Sequence, residues 1–445
     1  MRYIILSISF LLSLVLIYSC GTESTPVYTL STSVVGEGSI TPPGGEYEEG
    51  ETVTITASPN EHWLFSNWSG DGSGSSTTVT ITMDGNKNVV GNFERRDYPL
   101  TITVEGEGTV TEEIVTSKTT EYPYETIVEL TPNPKDGWRF VEWSGDLSGN
   151  VKPIQITISE EKNVTVKFSP IVYLGENGIT IMCPDGEVGD IGVVDGVEYE
   201  VVDRNLLDQR IEEGSDLTKV CVSLVKNMSW MFLKHSFNQP IGNWDVSNVI
   251  DMSVMFRESQ FNQPIGNWDV SNVKNMSNMF FRSQFNQPIG DWDVSNVTNM
   301  GSMFGISDFN QPIGDWDVSK VTNMGGMFGS GRSSFNQPIG NWDVSNVTNM
   351  GYMFQGSSFN QTIGDWNVSN VRIMESMFHQ SIFNQPIGNW NVSMVINMTG
   401  MFYQSEFNQP INSWCVTQIT TEPHLFSDLS PLTEQNKPIW GTCPN

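Results

Sequence analysis

The sequence predicts a mainly β chain with short helices: a solenoid of about eight 24-residue coils, preceded by two small all-β modules. Three observations carry this. A motif written FNQPIGNWDVSNV in its first copy recurs eight times between Phe237 and Trp414. Its tryptophans, Trp244, Trp268, Trp292, Trp316, Trp342, Trp366, Trp390 and Trp414, keep a step of 24 residues, except for one of 26 after Trp316. Upstream, VGEGSI returns as EGEGTV and WLFSNWSGDGSG as WRFVEWSGDLSG. A short fixed period means units too small to bury their own apolar faces, which must therefore stack.

From the N-terminus, residues 1–20 read as a lipoprotein signal peptide: Arg2, an apolar run from Tyr3 to Ile17, then Tyr18-Ser19-Cys20-Gly21. Ile17-Tyr18-Ser19-Cys20 resembles a bacterial lipobox, which makes Cys20 the acylated first residue of the mature chain. An ordinary cleaved signal, with Cys20 incidental, is the alternative. Residues 21–27 form a tether.

The modules occupy 28–94 and 98–169. Alternating Val, Ile and Thr, broken by Gly and Pro, read as short strands and turns. The second copy carries an insertion near Glu113–Tyr122. SGDGSG has an alternation of oxygens like a calcium loop. However, Ser76 and Thr82 stand where the turn Gly and the bidentate Glu belong, so a hairpin turn is expected. Trp63, Trp68, Trp138 and Trp143 are expected in the cores of these modules, with exposed contacts to sugar as the sharper alternative.

Residues 170–220 read as a junction and N-terminal cap. Val194-Asp195-Gly196-Val197 is a tight hairpin. Asp203 caps a helix from Arg204 to Glu213 that stops at Gly214.

The solenoid spans 221–414. In the copy Phe285–Phe304, Ile289 to Val294 alternates with period two, which predicts a short half-buried strand with Trp292 and Val294 inward and Asp291 and Asp293 outward. Val297, Met300, Met303 and Phe304 then follow at spacings of three and four, one face of a short helix or helical turn. Ser295 stands where its N-cap belongs. FNQP turns the chain back, since Pro288 suits a corner. The Met and Trp rows are expected in the core. The Asn and Gln rows of FNQ are expected to bond turn backbone and each other, with a sugar-binding amide row as the alternative.

The outward strip carries Asp245, Asp269, Asp291, Asp293, Asp315, Asp317, Asp343 and Asp365, with no Lys or Arg among them. Like charges on neighbouring coils repel. Two readings stay open: solvated surface with local capping, or a strip that faces a ligand or weakly binds divalent cations. No other cofactor is expected.

Residues 415–445 form the C-terminal cap. Cys183 and Cys221 flank the start of the array, and Cys415 and Cys443 flank its end. In an exported chain, disulfides Cys183–Cys221 and Cys415–Cys443 are the economical pairing. A zinc site is not expected, because His62, His235, His379 and His424 show no ligand spacing with them.

The chain holds 22 basic and 51 acidic residues, a net charge of −29. This argues against nucleic acid as a partner, which needs basic patches. No Ser-His-Asp elbow, HExxH or phosphate loop occurs, so an enzyme is not expected.

The repeats FNQPIGNWDVSNV and NMxxMF, with the KVCVSLVKNM opening and the WGTCP close, resemble the BspA-like leucine-rich-repeat surface proteins over roughly Thr180 to Asn445. WSGD and the closing NVxxxF of the earlier modules resemble internalin-type B-repeats. These resemblances imply a leucine-rich-repeat-like solenoid, β-grasp-like spacers, and adhesion or host-matrix binding at the cell surface. No binding residue carries over. The expected location is the bacterial cell envelope, at its outer surface, held in the membrane by the lipid anchor. The expected partner is a host or matrix protein or a glycan. The alternatives are a self-associating structural component of the envelope and, less favoured, a carbohydrate-active enzyme.

Overall fold

A computed structural model describes residues 24–113, 121–329 and 331–444. The signal segment, Cys20 and most of the expected insertion after Glu113 lie outside the described residues. The chain is mainly β and divides into two compact units. The first comprises the described residues up to Glu105, Thr109–Asn133 and Glu142–Lys167. The second comprises Gly106–Gly108, Pro134–Val141 and the residues from Phe168 onward.

The first module has seven strands: β1 (Val27–Val35), β2 (Gly38–Thr41), β3 (Gly44–Glu48), β4 (Thr52–Pro59), β5 (Trp63–Gly70), β6 (Thr78–Thr82) and β7 (Lys87–Arg95). They form sheets of order β3-β1-β7-β5 and β2-β4-β6. The first and last strands pair in parallel, with Leu30 opposite Lys87. Strand β4 shows why the two sheets meet: Val53, Ile55 and Ala57 are buried and the threonines between them face out. The second module repeats this plan with β8 (Asp97–Glu105) to β14 (Lys162–Pro170), again with its first and last strands parallel.

WSGD has a structural reason in both copies. The Trp68 indole is buried and donates to the Ser76 carbonyl at 2.8 Å, and Trp143 donates to Val151 at 3.0 Å. The Asp71 carboxylate accepts the Asn88 N–H at 2.7 Å, and Asp146 accepts that of Asn163 at 2.6 Å. Gly70 has φ +80°, and a Cβ there would stand 2.3 Å from the Asn88 carbonyl oxygen, so only glycine fits. Trp63 and Trp138 are partly exposed.

In the second unit, β15 (Tyr173–Leu174) pairs with β16 (Ile181–Met182). Strand β17 (Ile191–Val194) pairs with β18 (Val197–Val201) through the expected hairpin, whose Asp195 and Gly196 both have positive φ. Helix α1 (Arg204–Glu212) is capped by Asp203, whose carboxylate accepts the Leu206 N–H, and Gly214 follows its end at φ +69°. Strand β19 (Val220–Cys221) pairs in parallel with β18. Cys183 is bonded to Cys221, and Cys415 to Cys443.

From here to Trp414 the chain is a stack of coils around one continuous core, which runs from Val202 to Leu432. All eight repeat tryptophans are buried. Neighbouring indoles lie nearly parallel, with centroids 6.4 Å apart for Trp244 and Trp268 and 6.5 Å for Trp268 and Trp292. Each indole N–H donates to a carbonyl of the preceding coil, as Trp268 does to Ile241 at 3.1 Å. Two phenylalanine columns run beside them. Phe256 stacks on Phe280 at 5.7 Å and Phe261 on Phe285 at 6.2 Å, and the columns touch at Phe256–Phe261, 4.2 Å. The longer step after Trp316 leaves the column in step, with Phe328 and Phe354 5.9 Å apart. The stack ends where Phe426 turns edge-on to Phe402 at 90° and Trp440 edge-on to Phe426 at 84°.

Two local expectations are corrected. The Met-Met-Phe segment is not a helix. From Met252 to Glu258 every second N–H crosses to the next coil, to the carbonyls of Asn275, Ser277, Met279 and Phe281, at 2.8–2.9 Å. The intervening N–H groups of Met255, Arg257 and Ser259 return to the carbonyl three residues earlier. Val254 and Glu258 have φ +64° and +55°, outside any right-handed helix. The segment is a ribbon of consecutive turns. Spacings of three and four bury Met252, Met255 and Phe256 in a helix or in this ribbon alike. A helix, however, would keep its N–H groups for itself and leave the coils unlinked.

Nor is Ile289–Val294 a strand, although Trp292 and Val294 are buried and Asp291 and Asp293 exposed as expected. Turns at each end, Trp292 to Ile289 and Val297 to Val294, leave too few residues for a ladder. The inter-coil bonds there come from side chains instead.

Candidate functional site

The acidic strip is built by those turns. Asp269, Asp293, Asp317 and Asp343 each accept, through one carboxylate oxygen, the N–H of the Ser two residues on, at 3.0 Å. Asn367 and Asn391 do the same for Ser369 and Ser393 at 3.2 Å. The expected N-cap role of Ser295 is thereby reversed. The aspartate is the acceptor and the serine N–H the donor, because no helix follows to be capped. The Ser295 hydroxyl, then its N–H, hold the Asp293 carboxyl below its usual range; Ser319 acts likewise on Asp317.

Asp291, Asp315 and Asp365 stand exposed on the adjoining turn. Asp245 departs from the outward strip. It is 4 % exposed and accepts from the Ser223 hydroxyl at 2.5 Å and from the Ser247 N–H and hydroxyl. The N–H of Ile181 bonds the Asn243 carbonyl, which lays the β15–β16 hairpin beside it. That hairpin and Asp269 border a cleft of about 630 Å³. Among the described residues, no group of three or more His, Cys, Asp or Glu is arranged to hold a metal ion.

The FNQ amides bond each other as the first reading expected. The Asn310 side-chain oxygen accepts the Asn336 N–H at 3.0 Å and the Gln337 amide at 3.1 Å, and the same pair recurs from coil to coil. A second amide row, Asn248, Asn272, Asn296, Asn346 and Asn370, donates to the serine carbonyl of the preceding coil. Lys320 replaces it once and reaches the Asn296 side chain at 2.6 Å.

A third amide row was not singled out from the sequence. Asn323 donates to Asn299 at 2.9 Å and Asn349 to Asn323 at 3.1 Å. These side chains line a groove of about 500 Å³ that runs from Ser277 to Glu375. Its Asn residues belong to NMxxMF, a position that only Asp251 and Ile373 vary, so they do not stand out from the other copies. The signal that marks the groove is the run of glycines after them, Gly301, Gly325 and Gly351.

Residues 204–306, 282–381 and 330–440 match the family model described as "Mycoplasma protein of unknown function, DUF285". These stretches overlap to cover more than half of the chain. The chain belongs to the DUF285 family. Residues 28–97 and 98–172 each match the model described as "Divergent InlB B-repeat domain". No curated protein and no solved structure matches the chain. The DUF285 region thus coincides with the stacked coils and helix α1, and the B-repeat-type region with the paired-sheet modules.

Within this DUF285 chain, the inward positions barely differ between coils while one column of turn positions, exposed at Trp230 and Tyr352 but buried at Val254, differs at almost every step. That column is the left-handed turn position, held by Trp230, Val254, Asn278, Ser302, Gly326, Tyr352, Ser376 and Gly400. No helix of the described residues is long and apolar enough to cross a membrane.

Proposed function

We propose that this chain is a surface-anchored bacterial lipoprotein that binds or adheres through its repeat array. Cys20 carries the acyl anchor, the two B-repeat-type modules act as spacers, and a leucine-rich-repeat-like solenoid presents the recognition surface. Parallel pairing of the first and last strands in each module supports a grasp-like reading of the spacers. The observation that carries the proposal is the contrast between uniform inward columns and a varied column of turn positions that surfaces at Trp230 and Tyr352. Stacking demands the first, whereas nothing in the packing demands variety in the second.

The closed ends favour this over self-association. Rings set edge-on and a disulfide finish the last coil, and strand β19 with Cys183–Cys221 finishes the first. Asp269, Asp293, Asp317 and Asp343 are each taken up as turn acceptors, which disfavours a carbohydrate-active enzyme built on that strip.

Two measurements test the proposal. Labelled fatty acid should enter the wild-type protein in a bacterial host and be lost in Cys20→Ala. The full chain, displayed on cells, should attach to immobilised matrix proteins or glycans. Attachment to none of these would sink the reading, and assembly of purified chains into long polymers would favour the structural alternative.

A further inference from the structure

The groove beside Asn299 is emptier than the fold requires. Its glycines have a packing reason: a Cβ on Gly301 would stand 2.8 Å from the Asn323 amide nitrogen, and one on Gly325 would stand 2.9 Å from that of Asn349. Ser302 and Gly326 stand one residue further on. They share the left-handed turn position with Trp230 and Tyr352, whose φ values of +64° and +61° carry large side chains in the same column. Small residues at 302 and 326 therefore leave open a space that neighbouring coils fill.

The walls have a definite chemistry. An Asn amide has two N–H donors. Asn323 and Asn349 each give one to the preceding Asn, so the second forms a row repeating once per coil. Tyr352 closes the groove, 38 % exposed, with its hydroxyl donating to Glu375. Glu375 in turn accepts from Asn397 at 3.0 Å, so the ring is held in place before any ligand arrives.

No Lys or Arg lines the groove, and the chain carries −29, so anionic polymers are repelled. An extended peptide finds no free edge either. Met300, Ser302 and Phe304 already donate to Asn323, Gly325 and Met327 of the next coil. What remains is a ligand rich in neutral hydroxyls, with a flat face to lie on an aromatic ring.

We infer that this groove binds a neutral glycan running along the coil axis, with one sugar stacked on Tyr352 and hydroxyls bonded to the Asn299–Asn323–Asn349 row. The inference rests on the binding function proposed above and names its site and ligand class.

The test is affinity electrophoresis of the full chain through gels containing β-glucan, xylan, mannan or dextran. Calorimetry with neutral N-acetylated oligosaccharides forms a separate arm, and heparin and an extended peptide serve as controls. The two arms distinguish plain hexose or pentose polymers from N-acetylated glycans as the source. At least one neutral glycan should bind. Ser302→Tyr, which copies Tyr352 into the space, should weaken binding roughly tenfold or more. Tyr352→Ala should weaken it as well and remains informative if Ser302→Tyr does not fold. Replacing Asp269, Asp293 and Asp317 by Asn should leave binding unchanged.

Binding of only heparin or peptide, or of no neutral glycan, overturns the inference. So does unchanged binding by folded Ser302→Tyr or by Tyr352→Ala. Should that variant still attach to coated surfaces as the wild type does, the groove is refuted while the adhesion reading survives. Should the wild type attach to nothing, the adhesion reading itself has failed.

Discussion

A B-repeat-type module closes its core within about seventy residues, whereas no coil of the array closes one at all. In the first module, Val53, Ile55, Trp68, Ile81, Val89 and Phe93 bury one another between two sheets, and the sheets are knit by backbone ladders. In the array, Trp292 is buried because Trp268 lies 6.5 Å beneath it, and its indole bonds a carbonyl 27 residues earlier. Both regions are rich in tryptophan whose N–H meets a carbonyl, yet Trp68 finds its partner eight residues away, inside its own turn. The comparison separates two routes to a buried aromatic: local closure, and dependence on the next copy. A module should therefore tolerate damage to its neighbour, while an interior coil should not.

The sharpest way to break that contrast is Trp316→Ala. It empties a site filled by a buried indole that leans on Phe304, and should cost about 3–5 kcal/mol. Calorimetry should show the array transition falling while the module transition stays. A single merged shift would contradict independence of the two units. Next in size is removal of Cys415–Cys443 by double substitution with Ser, which should cost about 2–4 kcal/mol through loop entropy. Hydrogen exchange should then report loss of protection concentrated in the last coils, and uniform loss would show that the array unfolds all at once.

Asn310→Ala tests whether side chains do for the coils what ladders do for the modules. It leaves the Asn336 N–H without its acceptor and the Gln337 amide with only the Asn310 backbone carbonyl, and should cost about 1–2 kcal/mol in denaturant unfolding. No change would assign those bonds to water.

The smallest effect belongs to Asp269, Asp293 and Asp317 replaced together by Asn. Asn367 and Asn391 already make the same turn, so stability at neutral pH should move by at most about 0.5 kcal/mol. The pH response is the informative part. Asp293 and Asp317 have folded values below the ordinary 3.8, so their contribution is present above that pH and lost as pH falls through the lower folded values. The variant should show a flatter decline in melting temperature on acidification below about pH 4. A steeper one would show that repulsion within the strip, and not capping by serine, governs those carboxylates.

The period of the tryptophans alone pointed to stacked copies and to which residues face inward, while cysteines at the two ends of the array made Cys183–Cys221 and Cys415–Cys443 the economical pairing. The reason is that identical side chains at a fixed step can be buried together only one above another. The hairpin at Asp195-Gly196 and the cap at Asp203 were equally legible, because their signals are local. Tertiary structure alone decided the rest. Spacings of three and four in Met252, Met255 and Phe256 suit a helix and a ribbon of turns equally, and only the carbonyls of the next coil, waiting for every second N–H, select the ribbon. Asp245 looks like the other strip carboxylates in sequence, yet a hairpin more than sixty residues earlier buries it. The groove at Asn299–Asn349 likewise exists only once glycines and serines 24 or 26 residues apart are brought side by side. Which residues adjoin across coils, and what space they leave, is a property of the stack and of no single copy.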